Sequence, residues 1–83
     1  MVREGDRVAI FNSIHRVMQA EKLLKARGAE ILLIPVPRQL TSDCGLAIRY
    51  AEEDRDQVEA ILREGGLEAA ETYRRQGQEY RLR

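Results

Sequence analysis

The residue with the widest chemical reach in this chain is Cys44, its only cysteine. Thiolate sulfur is a strong nucleophile and a soft-metal ligand, and a cation or a helix N-terminus nearby favours that form. Cys44 lies in the run Thr41-Ser42-Asp43-Cys44-Gly45, where Gly45 would let backbone amides approach a sulfur or a bound anion. Arg38 and Arg49 flank the run and could give it a positive rim, although singly each reads as well as a solvated surface charge. His15 could carry a proton or stabilise a thiolate. Each has a plainer alternative. Cys44 could pack as a small hydrophobe, and His15 could be a surface residue in the first turn of a helix. Asp43 would oppose the thiolate if its carboxylate faced Cys44.

The elements that must position these residues follow from spacing. Val8-Ala9-Ile10-Phe11 reads as a strand. Asn12-Ser13 supplies a cap, with Ser13 as N-cap, and a helix is predicted over 14–27 from the apolar positions Ile14, Val17, Met18, Ala20 and Leu24. Gly28 sits where a left-handed residue ends a helix. Ile31-Leu32-Leu33-Ile34 is a second strand, apolar on both faces and closed by Pro35. A loop runs from Pro35 to Gly45, and Leu46–Tyr50 alternates as a third strand. Glu52-Glu53-Asp54 open a second helix whose buried stripe is Val58, Ile61 and Leu62, with Ala51 a poor cap and Gly65-Gly66 the stop. Leu67–Tyr73 is predicted as the fourth strand. Residues 1–75 form one domain in this reading, and 76–83 a basic tail, either a stub strand or disordered.

The order βαββαβ predicts an α+β, ferredoxin-like fold: an antiparallel sheet of order 4-1-3-2 with both helices on one face. That topology has a consequence for Cys44. The first and second strands run the same way, so the Asn12-Ser13 turn and the Pro35–Gly45 loop emerge at one end of the sheet. Cys44 and the start of the first helix should meet there.

Composition narrows the function classes. Eighty-three residues make one domain. Fourteen basic residues balance fourteen acidic ones, so no overall field favours nucleic acid. No apolar run is long enough to span a bilayer, and the start has no signal-peptide stretch, which points to the cytoplasm. One cysteine rules out an internal disulfide, a multi-thiolate zinc site and the C-x-x-C pair of a copper chaperone. Phe11 and Tyr50 on the central strands lack the accompanying signature of an RNA-recognition domain. The residues call for neither a metal nor a cofactor. Eight acids against Arg55 and Arg63 make residues 52–71 acidic, whereas four arginines against Glu79 make 74–83 basic.

Four segments carry a family resemblance: Phe11-x-Ser13-x-His15, Ala20-Glu21-Lys22-Leu23-Leu24-Lys25, Ile34-Pro35-Val36-Pro37-Arg38 and Ser42-Asp43-Cys44-Gly45-Leu46-Ala47-Ile48-Arg49. Together they resemble a small bacterial family of selenium/sulfur carrier-like proteins, over about Val8 to Leu67. The resemblance implies a carrier rather than an enzyme. It would hold sulfur or selenium on Cys44 as a persulfide or its selenium analogue, and pass that atom between donor and acceptor proteins. Around it Ser13, His15, Arg38, Gly45 and Arg49 are the candidate binding residues. The chain departs from the family at Ala51, where a capping serine is usual, and in its arginine-rich tail. A different class of function stays open: a ligand-sensing or scaffolding module forming a homo-oligomer through the open sheet face.

Overall fold

The computed structural model describes residues 2–40 and 44–83. Thr41, Ser42 and Asp43 lie outside the described residues, and with them the expectation that Asp43 opposes a thiolate. The elements in chain order are β1 (Arg7–Ile10), α1 (Ile14–Ala26), β2 (Leu32–Pro35) and β3 (Leu46–Tyr50), then a 3-10 turn (Glu52–Asp54), α2 (Arg55–Glu64), β4 (Glu71–Gln76) and β5 (Glu79–Leu82). Ser13 caps α1 as its residue type predicts: its backbone is extended and its hydroxyl accepts from Arg16 N at 3.2 Å. Ala51 gives the acidic turn no side-chain cap, and the chain enters α2 through that turn instead. Val58, Ile61 and Leu62 are the buried stripe of α2.

The sheet has five strands in the order β2-β3-β1-β4-β5, with every neighbouring pair antiparallel. It therefore contains the expected four-strand order 4-1-3-2 and exceeds it by one strand. One correction follows, and one open alternative is decided. The fourth strand is not Leu67–Tyr73 but Glu71–Gln76. Leu67 N instead donates to Leu62 O at 2.8 Å, finishing the end of α2, and Leu67 and Ala69 pack on the core as a connector. Ala70 N then meets Ile10 O, and the ladder starts at Glu71 opposite Ile10. The tail takes the first of its two expected forms, a short strand. Gln76 pairs with Glu79 across a two-residue turn, Gly77-Gln78, where Gly77 takes φ 64° at no steric cost. Residues 79–82 are thus a strand on the outer edge of β4.

Both helices pack on one face of the sheet. Val17, Ala20 and Leu24 of α1 and Val58, Ile61 and Leu62 of α2 meet Ala9, Ile48 and Tyr50 in one buried cluster. Each fully buried Val, Ile or Leu among them stabilises the fold by about 1.5–3 kcal/mol. The helices come close where Gly65 lies against Leu23, and a Cβ at Gly65 would stand only 2.4 Å from Leu23 Cδ2. The second sheet face, expected to be open, is not bare. Val8, Ile10, Ile34 and Ala47 are buried there beneath Val2, Val36, Leu40, Tyr73 and Tyr80. Strand 2 is apolar on both faces because it serves both clusters: Leu33 belongs with the first and Ile34 with the second.

Candidate functional site

Cys44 comes to its place by the ladder between β2 and β3. Pro35 pairs with Leu46, and the next step is the bond from Val36 N to Gly45 O at 3.0 Å, which clips the two ends of the loop together. Gly45 turns the chain at φ 73°, a conformation that side chains rarely adopt. Leu46 then enters β3, and β3 lies beside β1 with Ala47 opposite Ile10. This register sets Cys44 next to the last residue before the Asn12-Ser13 turn. Its Sγ lies 3.7 Å from Phe11 O and 3.0 Å from Leu46 O.

The expected juxtaposition is therefore present: the cysteine and the capped start of α1 share one end of the sheet. Cys44 is half-buried against the helix-face core rather than sealed within it. Its two carbonyl neighbours are acceptors, so the thiol form has a proton to offer either of them. A thiolate has none to donate, and on nucleophilic attack the sulfur must turn its lone pairs away from both oxygens.

The remaining candidates separate. Ser13 spends its hydroxyl oxygen on Arg16 N, so its visible role is to cap α1. His15 is exposed in the opening turn of α1, and Arg38 is exposed in the loop after β2. Arg49 is committed elsewhere. Its Nε donates to Asp6 Oδ2 at 2.7 Å, and Asp6 is 5% exposed at the start of β1, the opposite end of that strand from Phe11. Asp6 Oδ2 also accepts from Arg3 N at 2.8 Å. The structure thus brings Cys44, Gly45 and Ser13 to one end and ties Arg49 towards the other.

Sequence reasoning missed a second polar group, on the helix face at the start of β1. Arg7, 7% exposed, donates from Nε to Glu52 Oε1 at 2.7 Å, and its NH1 lies 3.6 Å from Glu59. Tyr50, 1% exposed, lies beside them and hydrogen-bonds Thr72. Burial first, and the Glu59 carboxylate second, push its hydroxyl up to about 12. The hydrogen bond from Arg7 holds Glu52 below the usual carboxylate range, aided by the charges of Arg7, Arg74 and Arg55. Nothing in the spacing of Arg7, Tyr50 and Glu59 announced this cluster, because it depends on cross-strand register. It is an internally satisfied ion-pair network, and it holds the acidic entry to α2 on the sheet.

A shallow groove of about 530 Å³ runs between α1 and the turn after α2, lined by Gln19, Lys22, Leu23, Ala26, Gly65 and Leu67. None of the expected site residues borders it. Among the described residues, no three His, Cys, Asp or Glu side chains gather to hold a metal ion, and no helix is long and apolar enough to cross a membrane.

Comparison with known proteins adds one finding. No curated protein and no solved structure matches the chain. A family described as "Putative Se/S carrier protein-like" matches residues 6–74, from the buried Asp6 into β4 as far as Arg74, with Cys44 and its loop inside the match. The chain belongs to that family.

Proposed function

We propose that this protein carries sulfur or selenium as a cysteine-bound species on Cys44 and exchanges it between partner proteins in the cytoplasm, where a lone thiol stays reduced. The observation that carries the reading is the place of Cys44. It is a half-buried cysteine at the sheet end, beside the last residue before a capped helix start, inside a family described as carrier-like. In the loading step the Cys44 thiol first gives its proton to solvent. The thiolate then attacks the outer sulfur of a donor persulfide. The donor's S–S bond breaks as the Cys44–S bond forms, and the donor leaves as a thiolate. Delivery is the reverse exchange: an acceptor nucleophile takes the outer atom and Cys44 departs as thiolate. Neither step needs an oxidant. With selenium, the outer atom is selenium and the balance is the same. His15, Arg38 and Gly45 are proposed to contact the outer atom or its charge, and Ser13 to support them by holding α1 in place.

Mass spectrometry of the protein purified without reductant, and again after exposure to glutathione persulfide, tests this. One added sulfur or selenium on the Cys44 peptide, absent in Cys44→Ser, is the expected result. A Cys44 peptide left unmodified under both conditions would sink the carrier reading.

A second reading, a module that self-associates through the second sheet face, draws support from Leu32 and Leu82. The register places them in one cross-strand row, Leu32–Arg49–Val8–Tyr73–Leu82, and they are 45% and 59% exposed at its two ends. Sedimentation of the parent and Leu32→Glu across a concentration series decides it. A monomer at every concentration removes this reading.

A further inference from the structure

The loop that carries Cys44 holds on to both faces of the sheet. The bond from Val36 N to Gly45 O clips its two ends. On one side of the sheet Cys44 packs, half-buried, on the helix-face cluster, in step with Leu46 two residues on. On the other, Leu40 packs on the second-face cluster, to which Val36, Tyr73 and Tyr80 also belong. A turn closed by Leu40 N on Pro37 O at 2.9 Å aims this part of the loop. Beside it, Gln39 Nε2 donates to Gln78 O at 3.4 Å, in the turn between β4 and β5. Beyond the clip, Leu40 therefore grips one face and Cys44 the other.

The two holds bear differently on the chemistry. Cys44 has to give up its place to react, because its Sγ lies against Leu46 O and Phe11 O, acceptors that suit a thiol and oppose the attacking thiolate. Leu40 touches no reacting atom, and its hold can persist through the exchange. A short segment held at two points opens locally more often when either hold is weakened. The grip of Leu40 therefore bears on how readily Cys44 leaves its seat.

We propose that Leu40 is a positioning residue for Cys44: its grip on the second sheet face sets how often the loop presents the sulfur to a reaction partner. The inference rests on the carrier reading for the reaction it serves, and adds what governs access to the sulfur. It also gives the β4–β5 hairpin a part in the site. Gln78 and Tyr80, past the last residue of the family match, belong to the surface on which the loop is held.

Iodoacetamide, a small electrophile that needs no docking surface, reports this access on the intact protein. Its rate at Cys44 is measured at one pH, well below Tm, in the parent, Leu40→Ala, Leu40→Met and Leu24→Val. Leu40→Ala should react about threefold to tenfold faster than the parent. Leu40→Met, which refills the apolar contact, should return close to the parent rate. Leu24→Val removes buried volume near the other end of α1, roughly 15 Å from its start, and should lower Tm without changing the rate. The coupling also runs in reverse, so alkylating Cys44 in the parent should speed hydrogen exchange at the Leu40 amide while the Val36 amide keeps its protection. An unchanged or slower rate in Leu40→Ala, a Leu40→Met rate as fast as that of Leu40→Ala, or an equal gain in Leu24→Val overturns the proposal. So does equal exchange at Leu40 before and after alkylation. Glutathione persulfide checks the carrier reading separately: a parent that is alkylated as expected but never gains sulfur overturns carriage and leaves the grip of Leu40 on Cys44 standing.

Discussion

Replacing Gly65 by alanine should destabilise this protein in one background and stabilise it in another. Gly65 ends α2 at φ −85° and ψ 0°, a conformation alanine adopts without strain. On backbone grounds alone, Gly65→Ala should therefore stabilise by about 0.4–1 kcal/mol, through lost freedom of the unfolded chain. The new methyl, however, would stand 2.4 Å from Leu23 Cδ2, well inside contact distance. Leu23 must rotate or α2 must retreat. Overpacking of this kind costs about 1–3 kcal/mol, and the lower half applies because the obstacle is the end of a flexible, partly exposed side chain. The collision outweighs the entropy gain, for a net loss of about 0.5–1.5 kcal/mol. At about 4–8 °C per kcal/mol for a chain of this size, thermal unfolding followed by circular dichroism resolves it. In a Leu23→Ala background the obstacle is gone, and Gly65→Ala should then raise Tm above that of Leu23→Ala alone. A rise in Tm in the parent background, or a fall of equal size in both, would refute the steric account of the α1–α2 contact.

Two further outcomes follow from the same geometry. Ser13→Ala should cost about 0.5–1 kcal/mol, the lower part of the usual capping range, because the Arg16 amide it abandons is near the surface; Ser13→Asp should restore most of it. A loss of Cys44 loading in Ser13→Ala that Ser13→Asp does not rescue, at unchanged Tm, would show instead that the hydroxyl serves the sulfur. Tyr50, raised from 10.0 to about 12, binds its proton more tightly folded than unfolded. Its contribution is full below pH 10 and is lost as pH rises through about 12, a slope on the order of 2–3 kcal/mol over that window. Urea titrations at pH 9 to 12 should show this alkaline slope in the parent and a shallower one in Tyr50→Phe; identical slopes would place the hydroxyl in contact with water.

The readable parts of the sequence were those governed by neighbours in the chain. Ser13 three residues ahead of an amide, the stripe Val58-Ile61-Leu62 and Gly28 after α1 all act within a turn or two, so spacing revealed them. The meeting of Cys44 with the start of α1 was legible for a different reason: it is a consequence of strand order, which short connections and crossover handedness constrain. What stayed hidden depends on register. Arg49 lies five residues from Cys44, yet alternation puts it opposite Val8 on the second sheet face, where the buried Asp6 carboxylate claims it. The shift of the fourth strand has a similar origin. Leu67 and Ala69 are apolar enough to read as strand, but the end of α2 takes Leu67 N, and β4 can begin only where Ile10 offers a partner.

The family match ends at Arg74, in the middle of β4, whereas the sheet continues to Leu82. What lies between is half a strand, a tight turn and the whole of β5. Without β5, the outer side of β4 would present a row of unpaired amides and carbonyls, an invitation for another chain to add itself to the sheet. β5 covers that side with a strand bearing Glu79 and Arg81, whose charges make a poor template for further addition. β5 therefore gives the sheet a charged outer edge, at the far side of the sheet from β2 and away from the strand that follows Cys44.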